Sequence, residues 1–432
     1  MALGLVPLDL YQLALRLKPV FKTAEGVEKR REIEMDREYR IKALQSKIGE
    51  IGLSGAVLNY SRNILYYTGT AQPSLLLVKP DDYRLFIRSG FEFALKDTFI
   101  GKERVIEERR PEKIIRGIFP GSGARLGVEL DIWTVEQFEK FRKSFPRFDF
   151  LNISPLILEQ RKRKDPQEIE AIRKACDTIH KGHEAALACM REGITELELA
   201  AAVENAHRLA GHEGIFFIRQ PDFFMSRGPI SSGANLFKIS GVVYTITGIG
   251  LSPAVPAGPS RKKITEGDPV IIDIPTLVGG YHADQTRTYF LGKAGAKIRG
   301  MYRDLKTIAD HLIGLMRPGM KCNEIFRAAA GKARELGRQD HFQNFGGGKI
   351  SRIIGHGIGL ELNEPPILSE YDSSEIEEGY VLALDIHMMD ENAGVVKLED
   401  MILVREGGNQ ILTRTPRDLF ESGTSAIDQE KR

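Results

Sequence analysis

No two cysteines of this chain are spaced as Cys-x-x-Cys. The three that exist, Cys176, Cys189 and Cys322, stand far apart, and any one disulfide would leave a thiol over. This usage points to reduced core thiols and a reducing compartment, the cytoplasm. An excess of charge of one sign is also missing. With 61 basic against 59 acidic residues the net charge is +2, which gives no basis for binding nucleic acid or an anionic membrane. There is no internal repeat of solenoid length and no low-complexity segment. Residues 1–17 are fairly apolar, yet they lack a basic leader and a small-residue cleavage site, and Asp9 and Arg16 interrupt them. The expectation is a short amphipathic helix packed on the body or on a second subunit, not a signal peptide or membrane span.

What is present is the composition of a soluble globular protein, 42% hydrophobic and 28% charged, with 432 residues sufficient for two or three domains. A helix bearing Ile41, Leu44 and Ile48 on one face leads to a strand at Ala56–Leu58 and a turn with a short helix over 63–69. Further strands are expected at Leu75–Val78, Arg84–Ile87 and Leu126–Leu130, giving a small mixed α/β domain. A boundary falls near Leu156–Lys164, where Arg161, Lys162, Arg163 and Lys164 read as a solvated linker face. Asp165, Pro166 and Glu168 then open a helix with a capping box, and Thr195 with Glu198 repeats the device. The aromatic, Gly/Pro-rich stretch Phe216–Ser260 reads as loops and pocket walls, with a strand-like piece at 241–245. Helices are expected around 298–316 and 324–336 beside a mixed or antiparallel sheet, an α+β arrangement.

The chemistry lies between Val270 and Glu399. Asp273 sits in the apolar run Val270–Ile274. Asp284 opens a second strand beyond a Gly279–Gly280 turn. His356 is flanked by Gly355 and Gly357, while Asp385 and Glu399 interrupt Val381–Ile386 and Val395–Val404. One buried carboxylate is commonly paired with an arginine or ends a strand. Four in apolar strands are costly unless cations compensate them. Hard oxygen donors and one imidazole suit manganese, cobalt, iron or zinc, and carboxylates able to bridge suit two ions sharing a hydroxide.

These motifs resemble the pita-bread metallopeptidase family, in its aminopeptidase P, prolidase and creatinase branch. The resemblance is carried by Lys164-Asp165-Pro166-x-Glu168-Ile169, by the Asp273/Asp284 pair with Asp-x-Thr-Arg-Thr, by Gly355-His356-Gly357-Ile358-Gly359-Leu360 and by Leu398-Glu399-Asp400. The stretch from Gly55 to Gly69 resembles the creatinase-type N-terminal domain, and the likeness runs over roughly 36–410. It implies an N-terminal extension (1–35), a creatinase-like domain (36–158), a catalytic pita-bread domain with a six-stranded sheet (159–415) and a tail (416–432). It further implies five ligands, Asp273, Asp284, His356, Asp385 and Glu399, for two divalent ions, with Asp284 and Glu399 bridging. Manganese is the first expectation, with cobalt, zinc or iron as alternatives. The implied chemistry is cleavage of a small peptide or amide next to proline by a bridging hydroxide, in a homodimer.

Three departures qualify that pattern. Asp385 in Asp385-Ile386-His387 stands where the family has the Glu of Glu-Pro-Gly. Asn363 stands where its peptidases carry a second histidine, and no histidine occurs between Glu213 and Tyr281. Asn363 can donate a hydrogen bond but carries no proton at neutral pH. His387 and His282 each lie two residues from an expected ligand and so share its strand face. Either they compensate for the missing histidines or they are hydrogen-bonded structural residues. Arg287 reads as structural, and Thr286 as a residue hydrogen-bonding either a bridging carboxylate or solvent. Two other readings stand beside the Xaa-Pro hydrolase: a creatinase-like C–N hydrolase or lyase on a small metabolite, and a silent peptide- or partner-binding module.

Overall fold

The computed structural model describes residues 38–119, 123–220, 228–240 and 245–422. The helix expected over 1–17, positions 241–244 of the strand-like piece and the end of the tail from 423 lie outside the described residues. The chain divides into two compact units, Met1–Leu156 and Ile157–Arg432.

In the first unit, the helix over 38–50 buries Ile41, Leu44 and Ile48, the stripe set by helical periodicity. The sheet contains β1 (Gly55–Leu58), β2 (Ser74–Val78), β3 (Tyr83–Ile87), β4 (Val105–Glu107), β5 (Arg125–Val128) and β6 (Asp149–Asn152). Its order is β4-β3-β2-β1-β5-β6, mixing antiparallel and parallel pairs. Val57, Leu75, Leu77 and Phe86 pack with Ile114, Ile115 and Phe141 from neighbouring helices.

The second unit begins its long helix, Pro166–Cys189, with the expected box. The Asp165 carboxylate accepts from the amides of Gln167 and Glu168, and Glu168 accepts from the Asp165 amide. Thr195 and Glu198 cap Glu196–Leu209 in the same way. Its strands are β7 (Ile230–Ser232), β8 (Pro269–Asp273), β9 (Thr276–Val278), β10 (Tyr281–Ala283), β11 (Thr286–Leu291), β12 (Ile353–Gly357), β13 (Glu364–Ser369), β14 (Val381–Asp390), β15 (Gly394–Leu403), β16 (Gln410–Ile411) and β17 (Phe420–Ser422). They form a four-stranded sheet, β17-β11-β8-β7, and a five-stranded sheet, β13-β12-β14-β15-β16, with β9 and β10 as a separate hairpin. Helices beside mixed and antiparallel sheets give the α+β class. Gly279 and Gly280, both at positive φ, make the turn of the β9–β10 hairpin.

Strand alternation decides where the polar residues go. Leu382, Leu384, Ile386, Met388, Val396, Leu398 and Ile402 turn one face of the β14–β15 ribbon onto the helices Ala296–Leu315 and Cys322–Glu335. The intervening positions, including Asp385, Lys397 and Glu399, therefore share the opposite face. The side packed on helices is apolar apart from Asp400, which Arg287 and Arg417 neutralise, and Asp390 at the end of β14, so Asp385, Lys397 and Glu399 are delivered together to the opposite side.

The basic run at the start of this unit is not a solvated face. Arg161, Lys162 and Lys164 are buried, and only Arg163 is exposed. The Arg161 guanidinium pairs with Glu361 at 2.9 Å and, more closely, with Glu364, which Lys164 also reaches at 3.2 Å. Burial alone would raise the Glu364 carboxyl, but Arg161 and Lys164 hold it down at about 2. The carboxylates that neutralise this run lie some 200 residues further along the chain, where local composition cannot reveal them.

Candidate metal centre

Two antiparallel pairs build the site. In β8–β11, Asp273 is opposite Thr286; in β14–β15, Asp385 is directly opposite Glu399. Hydrogen bonds tie the pairs together. The Thr288 hydroxyl donates to the Lys397 carbonyl at 2.7 Å and accepts from the Lys397 amide at 2.9 Å. The Thr286 hydroxyl donates to Glu399 Oε2 at 2.8 Å, as expected of a residue steadying a ligand. His356 enters from β12, where it is opposite Ala383 of β14. Arg287, buried, donates to the carbonyls of Thr286 and Glu399 and pairs with Asp400 at 2.6 Å, a structural role.

Donor atoms of Asp284, His356 and Glu399 all lie within 4.8 Å of one another. A carbonyl only accepts, so the 3.0 Å contact of His356 Nδ1 with the Gly357 carbonyl places the ring proton on Nδ1. That leaves the Nε2 lone pair for a cation. Burial lowers the His356 pKa, which also favours the ligating form. Burial pushes the Asp284 carboxyl well above its ordinary range, with Asp273 adding to the effect. It does the same to Glu399, reinforced by Asp284 and Asp385. Two acids that resist ionising beside a neutral imidazole are a donor set that a divalent cation would stabilise in its charged form. These three residues fit one such ion.

Asp273 and Asp385, the other two expected ligands, line the same cavity as these three. Asp273 and Asp385 are engaged by Lys397, whose Nζ lies 2.5 Å from Asp273 Oδ2 and 3.1 Å from Asp385 Oδ2, with Glu399 Oε2 at 3.9 Å. Burial disfavours the Lys397 ammonium, but Asp273, Asp385 and Glu399 outweigh it and raise its pKa. Asp385 is pushed up to about 6 by burial and by Asp273, against the pull of Lys397. Lys397 is not a ligand-type side chain, yet the sequence carries a signal for its place at the centre. It lies two residues from Glu399 in the same strand, the spacing that singled out His387 and His282.

A cavity of about 370 Å³ opens over the acids, at the small end of the ~300–1,000 Å³ typical of small-molecule sites. Its wall includes Ile218, Arg219, Pro229, Thr247 and Leu362 from loop segments, and Asn363 lines it as well. The expectation that Phe216–Ser260 supplies pocket walls is met by Ile218, Arg219, Thr245, Thr247 and Ala257.

His387 and His282 are absent from that lining. The His387 ring donates from Nε2 to the Asn344 carbonyl at 3.1 Å and stacks on Phe345, with centroids 4.7 Å apart. Burial first, and Lys397 second, lower its pKa to about 3, so it is neutral. Sharing a strand face with Asp385 was therefore insufficient to make His387 a proton carrier, because a backbone carbonyl turns the ring aside. His282 accepts from the Phe217 amide at Nε2 and donates from Nδ1 to the Gly359 carbonyl, both at 3.0 Å. Both ring nitrogens of His282 are bound to backbone.

Residues 170–406 match the family model for metallopeptidase family M24, and residues 40–163 match the creatinase/prolidase N-terminal domain. The chain belongs to metallopeptidase family M24. Among curated relatives of this M24 chain are two proteins named Xaa-Pro dipeptidase. That of Pyrococcus furiosus is 28% identical over 83% of this chain and 92% of its own length; that of Pyrococcus horikoshii is 28% identical over 84% and 94%. The solved prolidase from Pyrococcus furiosus superposes with a TM-score of 0.70 at 27% identity, covering 86% of this chain and 99% of that one. The X-Pro aminopeptidase structure from Thermotoga maritima shares the fold, with a TM-score of 0.71 at 22% identity over 88% and 99%. The sequence-based assignment to the pita-bread metallopeptidases is thus met, as is the pairing of a creatinase-type domain with an α+β metallopeptidase domain.

Proposed function

We propose that this chain is a metal-dependent hydrolase of the Xaa-Pro peptidase type, acting on a small peptide. The observation that carries the proposal is the convergence of Asp284, His356 and Glu399 at the base of a small, largely apolar cavity. A divalent cation held there would supply Lewis acidity toward a carbonyl and lower the pKa of water. The chain's own residues do the rest. Glu399, held by Thr286, takes up the proton released in hydrolysis. Asn363 in the wall donates a hydrogen bond to the substrate carbonyl oxygen. The apolar wall at Ile218, Pro229 and Leu362 excludes water and accepts a proline ring.

Finer expectations belong to the same proposal. Manganese is the first candidate ion, with cobalt, zinc and iron behind it. The free state of Cys176, Cys189 and Cys322 supports a cytoplasmic, reducing location. Among the described residues no helix is long and apolar enough to cross a membrane. A homodimer is proposed on family resemblance, to be checked by light scattering after size exclusion.

One observation favours a second reading. His356 is the one histidine lining the cavity among the described residues, so no second imidazole is there to carry a proton. That composition suits a creatinase-like C–N hydrolase. The deciding assay offers the manganese-loaded protein a panel of Xaa-Pro dipeptides, longer peptides with proline second, and creatine-like amides. Cleavage of the Xaa-Pro bond is expected. Turnover confined to the amides would replace the peptidase reading, and no turnover with metal bound would leave a binding module.

A further inference from the structure

We propose that the Lys397 ammonium occupies the place of one of the two cations, so that the centre takes a single divalent ion beside a built-in positive charge. The inference rests on the metal-dependent reading above and narrows it.

Lys397 Nζ is within hydrogen-bonding reach of Asp273 Oδ2 and Asp385 Oδ2, two of the carboxylates that a pair of ions would need. An ammonium has three donors and no lone pair, so it competes with a cation for oxygens and cannot join it as a ligand. An ion held by Asp273 and Asp385 would sit ~2.0–2.2 Å from their oxygens, beside an ammonium that is itself 2.5 and 3.1 Å from them. Like charges that close, shielded from water, repel strongly. Lys397 has no evident route of retreat. The residue is fully buried, and Thr288 holds its backbone through both the amide and the carbonyl.

The other half of the centre is free of this competition. Asp284, His356 and Glu399 converge without Asp273 or Asp385, and the nearest Glu399 oxygen is 3.9 Å from Nζ. Asp385 Oδ1 is buried with no hydrogen-bond partner, so Asp385 can offer this oxygen to the ion while its other one stays with Lys397. The result is a cation–ammonium pair spread over four carboxylates.

The test is ion stoichiometry on the full chain, measured by equilibrium dialysis against Mn²⁺ with elemental analysis. Wild type is expected to hold one ion per chain. Lys397→Met, which keeps the length of the side chain and removes its charge, is expected to hold two. Two ions in wild type, or one in both proteins, would overturn the proposal. A second comparison does not depend on that variant folding. Asp273→Asn should keep the single ion and His356→Ala should lose it; loss from Asp273→Asn would count against the proposal. Circular dichroism on each preparation checks the fold. Xaa-Pro cleavage on the same samples separates the two readings. One ion without cleavage removes only the peptidase activity, and cleavage with two ions removes only this inference. No ion in any protein removes both.

Discussion

The Nζ atom of Lys397 lies 2.5 Å from Oδ2 of Asp273, joining the β15 strand to the β8 strand inside the acidic centre. This contact neutralises part of a charge cluster that would otherwise depend on cations alone. Without added metal, Lys397→Met therefore leaves Asp273 and Asp385 buried and uncompensated, at a cost of about 3–5 kcal/mol. The melting temperature in chelator should fall clearly below that of wild type, and excess Mn²⁺ should recover most of the loss. An unchanged melting temperature in chelator would mean that the contact carries no stability.

Thr286 is the donor that orients Glu399. Thr286→Val keeps the branched shape and removes the 2.8 Å hydrogen bond to Oε2. Metal affinity should drop roughly 10–100-fold, as is usual when a partner of a ligand is lost. Titration calorimetry with Mn²⁺ measures this directly, and an unaltered dissociation constant would exclude Thr286 from any such role.

Asn363 faces the cavity at the position where the resemblance expects an imidazole. Asn363→Ala should lower kcat on an Xaa-Pro peptide by ~10²–10³ while changing KM little, the signature of a donor aimed at developing charge. Asn363→His should raise kcat above wild type by restoring a proton carrier. Steady-state kinetics that show equal kcat for all three proteins would remove Asn363 from the chemistry.

His207 links acidity to stability at a distance from the metal centre. Burial lowers its pKa to about 4, against an ordinary 6.5. The ring is held against the helix Pro166–Cys189, where its Nε2 lies 2.0 Å from the position a Cβ at Gly182 would take. Between pH 6.5 and 4 the unfolded chain binds the proton and the folded chain does not. The stabilising contribution is thus full above pH 6.5 and is lost as the pH falls toward 4, to the extent of on the order of 3 kcal/mol. Denaturant titrations at pH 7 and 4.5 should show a smaller difference for His207→Gln than for wild type; an equal difference would refute the linkage.

Much of the fold was legible because period and capping are local. The stripe of Ile41, Leu44 and Ile48, the boxes at Asp165 and Thr195, and the apolar runs around Asp273, Asp385 and Glu399 all appear in the structure as read. The buried ligand-type acids were legible for the same reason, since a carboxylate inside an apolar strand is conspicuous wherever it occurs. The partners of charged residues were not. Arg161 and Lys164 looked solvated because Glu361 and Glu364 are remote in sequence, and His387 looked available because the Asn344 carbonyl that claims it belongs to another segment.

The sequence by itself determined the strand faces, the helix starts and the identity of the acids, since these follow from side-chain alternation and from backbone groups a few residues apart. Only the tertiary structure decided what neutralises those acids. Electrostatic pairing depends on distance in space, and the 124 residues separating Lys397 from Asp273 collapse to a single hydrogen bond when β11 brings β8 against β15.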